Sequence, residues 1–152
     1  MTIKPKPVRV SRTVFSDLMA PPDANLHGTV FGGKVLAMVD KAAAVCAMRH
    51  AGGLVVTVAM DRVEFLVPID VGDVVIVEAQ VNGVGRSSME LGVEVYAEKP
   101  GGGERRHTNT CLVTMVAVDA KRRPQAVPPL LTETPDEKRR AAEAQARRAA
   151  RR

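Results

Sequence analysis

Lys34–His50 is the one long helix-forming run in the body of the chain, and beyond it the hydrophobic period changes from helical to alternating. The run is rich in Ala, Val, Leu and Met and is closed by Gly52-Gly53, a combination of good formers and a terminal glycine that predicts a helix over 34–50. At ~1.5 Å per residue it would be about 25 Å long. Period-two stretches follow at Val63–Phe65, ending at Pro68, at Val74–Val81, at Met89–Glu98 and at Cys111–Ala117. Gly101-Gly102-Gly103 is the expected loop between the last two, and Val8–Met19 alternates weakly, as an edge strand would. One apolar helix followed by four strands excludes a βαβ repeat. It predicts an α+β domain in which an antiparallel sheet wraps around one central helix.

The chain has 152 residues, 45% hydrophobic and 26% charged, a globular balance that fits one domain. Composition shifts after Pro128-Pro129, and Pro135–Arg152 is helix-prone but lacks large apolar residues. We therefore expect a domain over 1–132 and a basic tail over 133–152, forming an exposed or frayed helix. The tail also explains the formal charge of +5. Residues 135–152 carry seven basic and three acidic side chains, leaving fifteen against fourteen over the rest. Nucleic acid is thus an unpromising partner for the body. Three Phe, one Tyr and no Trp also argue against a base-stacking surface. Cys46 and Cys111 lie in apolar runs without a CxxC or Cys/His cluster, so no metal site is expected. No apolar run approaches the ~18 residues of a membrane span, and no secretory h-region follows the basic N-terminus. The expected location is the cytoplasm.

Asp40 is the residue that does not fit its surroundings. Leu36, Ala37, Ala43 and Ala44, three and four positions away, offer it no cation along the helix. The stripe Gly33, Ala37, Asp40, Ala44, Ala47 is otherwise made of very small side chains. A carboxylate there is a general-base candidate if the stripe is covered, and an ordinary surface charge near Lys34 and Lys41 if it faces solvent. Gly32-Gly33 opens the same helix, where unpaired N–H groups can serve as an oxyanion hole or the glycines can simply make a turn. Asn25 and His27 precede it as candidates to orient water or transfer protons, or as turn formers. Gly28–Val35 approaches a P-loop but places Val35 where a hydroxyl is required, and a turn rather than a strand precedes it. Gly85-Arg86-Ser87-Ser88 is either a hairpin turn or a loop suited to phosphate, and Thr57 leads a strand that can pack beside the helix.

The stretch Asn25-Leu26-His27-Gly28-Thr29-Val30-Phe31-Gly32-Gly33, continuing through Lys34 to Asp40, resembles the hotdog-fold acyl-CoA thioesterases of the cytosolic acyl-CoA hydrolase type. Val56–Leu66, Pro68, Val71–Val75 and Gly85–Glu90 extend the resemblance over roughly residues 10–125. It implies a hotdog fold, hydrolysis of acyl-CoA to free acid and CoA, a place in fatty acid metabolism, and paired subunits with active sites between them. A hexamer, a trimer of dimers, is the higher assembly it implies. Carried over, Asp40 is the general base, Gly32 and Gly33 form the oxyanion hole, and Asn25 comes from the other subunit. His27 and Thr57 assist in positioning. Gly85, Arg86, Ser87 and Ser88 face the CoA phosphates, and no metal or cofactor is needed. A non-catalytic acyl-CoA sensor is the alternative. A hotdog dehydratase would need a catalytic His, for which only His27 is near.

Overall fold

The structure, a computed structural model, describes residues 3–151. Its central element is α2, Gly32–Ala51. Val35, Met38, Val39, Ala42, Ala43, Cys46, Ala47 and His50 are buried along it, the three-and-four spacing of one helix face. The middle of that face is alanine and cysteine, which lets a sheet lie close against it. The helix stops at Gly52, whose φ of 77° is left-handed and whose N–H returns to the Met48 carbonyl.

The sheet has five antiparallel strands: β2 (Thr13–Leu18), β3 (Val55–Asp61), β4 (Val74–Val84), β5 (Ser88–Glu98) and β6 (Arg106–Ala117), in the order β2-β4-β5-β6-β3. Alternate residues of the three long strands, such as Val77, Val93 and Val113, are fully buried and form one core with α2. This is the hotdog architecture. A small parallel pair, β1 (Lys6–Pro7) with β7 (Leu130–Leu131), ties the two ends of the chain together. No helix of the described residues is long and apolar enough to cross a membrane.

Three expectations need correction. Only Thr13–Leu18 of the N-terminal segment is a strand, since Val8–Ser11 forms a short helical turn, α1. The alternation at Val63–Phe65 is not a strand either. Arg62 has a φ of 56°, which ends β3 at Asp61 and sends 62–68 across the surface as irregular chain. Finally, the tail is a helix whose residues are mostly exposed, but it is neither frayed nor detached from the sheet. Its helix, α3 (Pro135–Ala150), is capped by Thr134, whose side chain accepts from the Glu137 N–H, and it docks on the sheet. Ala144 is buried there, and a Cβ on Gly83 would come within 3.0 Å of the Ala144 methyl. Arg147 reaches Glu90 through two bonds of 2.9 and 2.8 Å. Glu90 is only 8% exposed and also accepts from Asn82. Burial opposes its ionisation, but Arg147 and Asn82 outweigh this and hold its carboxyl below the usual range.

β2 and β3 are the sheet's two edges. The β3 edge and the residue leading into it expose Leu54, Val56 and Val58, an apolar edge of the kind that normally finds a partner strand.

Candidate active site

The sequence leaves Asp40 without a partner, and the fold supplies one from another element. Asp40 lies at the border of the buried face of α2, half-covered, where the helix passes β3. The Thr57 hydroxyl donates to Asp40 Oδ1 at 2.7 Å. No cation pairs with Asp40 among the described residues, because Lys34 turns instead toward Asp17 and Asp23. The small-residue stripe divides along its length: Gly33 and Ala37 are exposed, Ala44 is half-buried and Ala47 is buried. Asp40 is thus a carboxylate oriented by a neutral hydroxyl and left with its second oxygen uncommitted, the arrangement a general base requires.

Eight residues earlier, at Gly32, α2 begins without a side-chain cap. Phe31 is extended, and Lys34 is the first helix residue whose N–H is taken, by the Phe31 carbonyl. The Gly32 and Gly33 N–H groups are therefore left for an incoming acceptor, at the positive end of the helix. Two aromatic rings close over these glycines. A Cβ on Gly33 would lie 2.8 Å from the Phe31 ring, and one on Gly32 would lie 3.1 Å from the Phe65 ring. Phe31 and Phe65 are themselves exposed, at 41% and 53%. Neither ring carries a local signal in the sequence that assigns it to the site. Phe65 lies in the segment mistaken for a strand.

Asn25 does not meet Asp40 within the chain. Its Oδ1 accepts from the His27 and Thr29 N–H groups, and its Nδ2 donates to the Thr29 hydroxyl. This Asx turn fixes the loop that leads into α2 and leaves one Nδ2–H free. His27 is exposed, bonded to Asn25 through its backbone N–H alone.

The Gly85–Ser88 turn joins β4 to β5 and is held by three backbone bonds. Gly85 donates to the Ser88 carbonyl, Ala117 to Ser87 and Val127 to Arg86. The Arg86 side chain is exposed and has no carboxylate partner among the described residues. Arg148 of α3 lies over this turn, a contact that no local pattern in the tail announces. A Cβ on Gly85 would fall 2.8 Å from its guanidinium carbon and 2.7 Å from the Ser88 hydroxyl.

Comparison with known proteins bears on this arrangement. Residues 27–104 match the thioesterase superfamily. The chain is 41% identical to an uncharacterized acyl-CoA thioester hydrolase of Bacillus subtilis, over 84% of this chain and 74% of that protein. Among solved structures, a hexameric acyl-CoA thioesterase superposes with a TM-score of 0.93 at 44% identity, covering 98% of this chain and 96% of that one. An acyl-CoA hydrolase of Staphylococcus aureus, solved with butyryl-CoA, CoA and CoA disulfide, superposes at 0.88 with 36% identity, over 96% and 91% of the two chains. That hydrolase has also been crystallised as three alanine variants, of an asparagine, of an aspartate fifteen residues later and of a threonine seventeen residues after that.

Proposed function

The chain belongs to the hotdog-fold acyl-CoA thioesterases of the thioesterase superfamily, and from that premise we propose that Asp40 is the general base of acyl-CoA hydrolysis. The observation that carries the reading is the 2.7 Å bond from Thr57 to Asp40 on a helix whose first amides are unpaired. The spacing of Asn25, Asp40 and Thr57 supports it, since the same residue types at the same intervals were replaced in the Staphylococcus aureus hydrolase.

In the step we propose, Asp40 takes a proton from a water molecule as the water oxygen bonds to the thioester carbon. The carbonyl π electrons move to its oxygen, and the Gly32 and Gly33 N–H groups stabilise that oxyanion. Collapse of the tetrahedral intermediate breaks the carbon–sulfur bond. The departing CoA sulfur takes the proton held by Asp40, leaving free acid and CoA. Side chains and water supply everything this sequence needs.

Gly33 and Asp40 are separated by about 10 Å of helix rise. One carbonyl must sit within ~3 Å of the amides while its water sits within ~3 Å of the base. Two copies satisfy this more readily than one helix does: the amides and Asn25 of one protomer face Asp40 of its partner. The exposed apolar edge at Leu54, Val56 and Val58 supports pairing of two β3 strands into one continuous sheet. Assembly of three such dimers follows the hexameric thioesterase with which the chain superposes.

The test is release of free thiol from acyl-CoA by wild type and by Asp40→Asn. The variant should lose about 10²–10⁴ in kcat. Unchanged turnover removes Asp40 from the mechanism. A wild-type protein that binds CoA but releases no thiol would be a sensor rather than an enzyme. Light scattering of the purified protein tests the assembly.

A further inference from the structure

The chain between β3 and β4 carries an aromatic ring to the start of α2. At Arg62 the backbone turns with a φ of 56°, and residues 62–68 then run as irregular chain. Two tethers fix this segment. Val63 packs against the core, and the Leu66 N–H donates to the Thr108 carbonyl of β6 at 3.1 Å. Phe65 lies between the tethers, and its ring meets α2 tip first. Its Cζ, Cε2 and Cε1 atoms stand 3.1, 3.4 and 3.6 Å from the place of a Cβ on Gly32. A side chain at position 32 would push the ring away, so the glycine is what admits it.

The ring is held in place but left 53% exposed. Phe31, the other ring at this end of α2, has a structural task. Its N–H donates to the Asp23 carbonyl, and its own carbonyl accepts from Lys34 in the first turn. Phe65 arrives from a separate segment, and what it adds beside the Gly32 N–H is uncovered apolar surface. A thioester whose oxygen accepts from the Gly32 and Gly33 N–H groups has both substituents of its carbonyl carbon close to that ring. One is the sulfur with its polar arm, and the other is the alkyl chain. The alkyl chain is the part that gains by leaving water for a hydrocarbon wall.

We infer that Phe65 is a specificity-determining residue: its ring is the wall against which the first carbons of the acyl chain lie while the carbonyl is held at Gly32 and Gly33. This rests on the acyl-CoA reading of the active site and adds a substrate preference to it. Alkyl chains that extend past the carbonyl are favoured over acetyl, whose single methyl offers little to bury. Each methylene laid along the ring removes more apolar surface from water, and the gain levels off once the chain outruns the ring.

The experiment measures thiol release by the full-length protein from acetyl-, butyryl-, hexanoyl- and octanoyl-CoA, which differ only in the alkyl chain. In wild type kcat/KM should rise from acetyl-CoA to hexanoyl-CoA. Phe65→Ala should lower the hexanoyl-to-acetyl ratio of kcat/KM by about tenfold, the worth of about two methylenes left in water. Phe65→Leu, which keeps an apolar side chain, should recover part of it. A ratio unchanged in Phe65→Ala, or a wild-type profile that is flat with chain length, would overturn the inference. So would a change in the oligomeric mass of Phe65→Ala by light scattering, which assigns the ring to a subunit contact. If wild type releases no thiol from any of these substrates, the hydrolase reading falls by itself. Calorimetric titration with hexanoyl-CoA and with free CoA then tests the wall separately. A gain in affinity from the hexanoyl chain that Phe65→Ala removes supports it, and the absence of a gain, or one that the variant keeps, overturns it.

Discussion

Thr57 donates to Asp40 across the gap between β3 and α2, so the orientation of the proposed base is set by a strand and not by its own helix. The hydroxyl is half of the arrangement that makes Asp40 usable, since an unrestrained carboxylate would sample several rotamers. Replacing Thr57 with Val keeps the shape and removes the donor. Turnover should fall by about tenfold or more, with KM little changed, the value of a hydrogen bond to a charged group. Thr57→Ser, which keeps the hydroxyl, should restore most of it. Equal activity in Thr57→Val and wild type would mean that the bond plays no part in catalysis.

A methyl group added at Gly33 meets an aromatic ring at the very start of α2. It would sit 2.8 Å from the Phe31 ring, which must then turn away from the helix start. Alanine is itself a better helix former than glycine, so the fold should survive. Gly33→Ala should therefore show wild-type circular dichroism and a melting temperature close to wild type, but a kcat lower by about 10²-fold, as expected when an oxyanion donor is obstructed. A loss confined to KM would point to substrate entry instead.

Arg147 and Glu90 make the connection that holds α3 to the sheet. Removing the arginine leaves a carboxylate that is 8% exposed with Asn82 and, at 3.9 Å, Arg151 as its remaining partners. Arg147→Ala should destabilise the protein by about 3 kcal/mol. Arg139→Ala, whose ion pairs are exposed, should cost less than about 1 kcal/mol. Thermal unfolding of the two variants side by side gives the comparison, and equal melting temperatures would show that the pair does not anchor the helix.

These residues also show what a sequence of this kind reveals and what it conceals. α2 is legible because its apolar spacing and Gly52 are local signals, and β4 to β6 because two-residue alternation with buried valines is hard to produce otherwise. Asp40 stands out by contrast with the alanines around it. Its partner Thr57, seventeen residues away, is marked in the sequence as a strand residue that can pack beside the helix and by the resemblance, but the bond between the two takes its geometry from β3 lying against α2. The Val63–Phe65 alternation misleads because the left-handed backbone at Arg62, on which the strand ends, leaves no mark on the pattern. The docking of α3 has no hydrophobic signature at all. It rests on Ala144 against Gly83 and on an ion pair fifty-seven residues apart in sequence. Such contacts are chosen by shape and charge in three dimensions.

Cys46 is fully buried between α2 and the sheet, and burial pushes its thiol up to about 11, against the smaller opposing effect of the Ser11 hydroxyl. Cys111 is buried as well and its thiol is likewise raised by burial. The thiolate is the reactive form, so neither should be labelled by a thiol reagent at neutral pH while the protein is folded. Both should react after addition of denaturant. Mass spectrometry after a short exposure to iodoacetamide checks this. The outcome matters for the activity assay, where protein thiols must not contribute to the thiol signal.

His50 offers the clearest dependence of stability on pH. It is fully buried at the end of α2, where its Nε2 lies 2.8 Å from the Pro128 carbonyl and its Nδ1 has no partner among the described residues. Burial lowers its pKa from 6.5, opposed by the Pro128 carbonyl and reinforced by nearby Lys6. In the unfolded chain the imidazole takes up a proton at its ordinary pKa, whereas in the folded chain it resists until the pH is lower. The stabilisation from burying neutral His50 is therefore complete above about pH 6.5 and is lost as pH falls through the lower folded value. Asp73 and Glu90, whose carboxyls are held below the usual range, lose their contributions only in stronger acid. Melting temperature should thus decline between pH 7 and pH 5, a fall that His50→Gln should flatten at the expense of a lower value at pH 7. An unchanged slope in that variant would assign the decline to other groups.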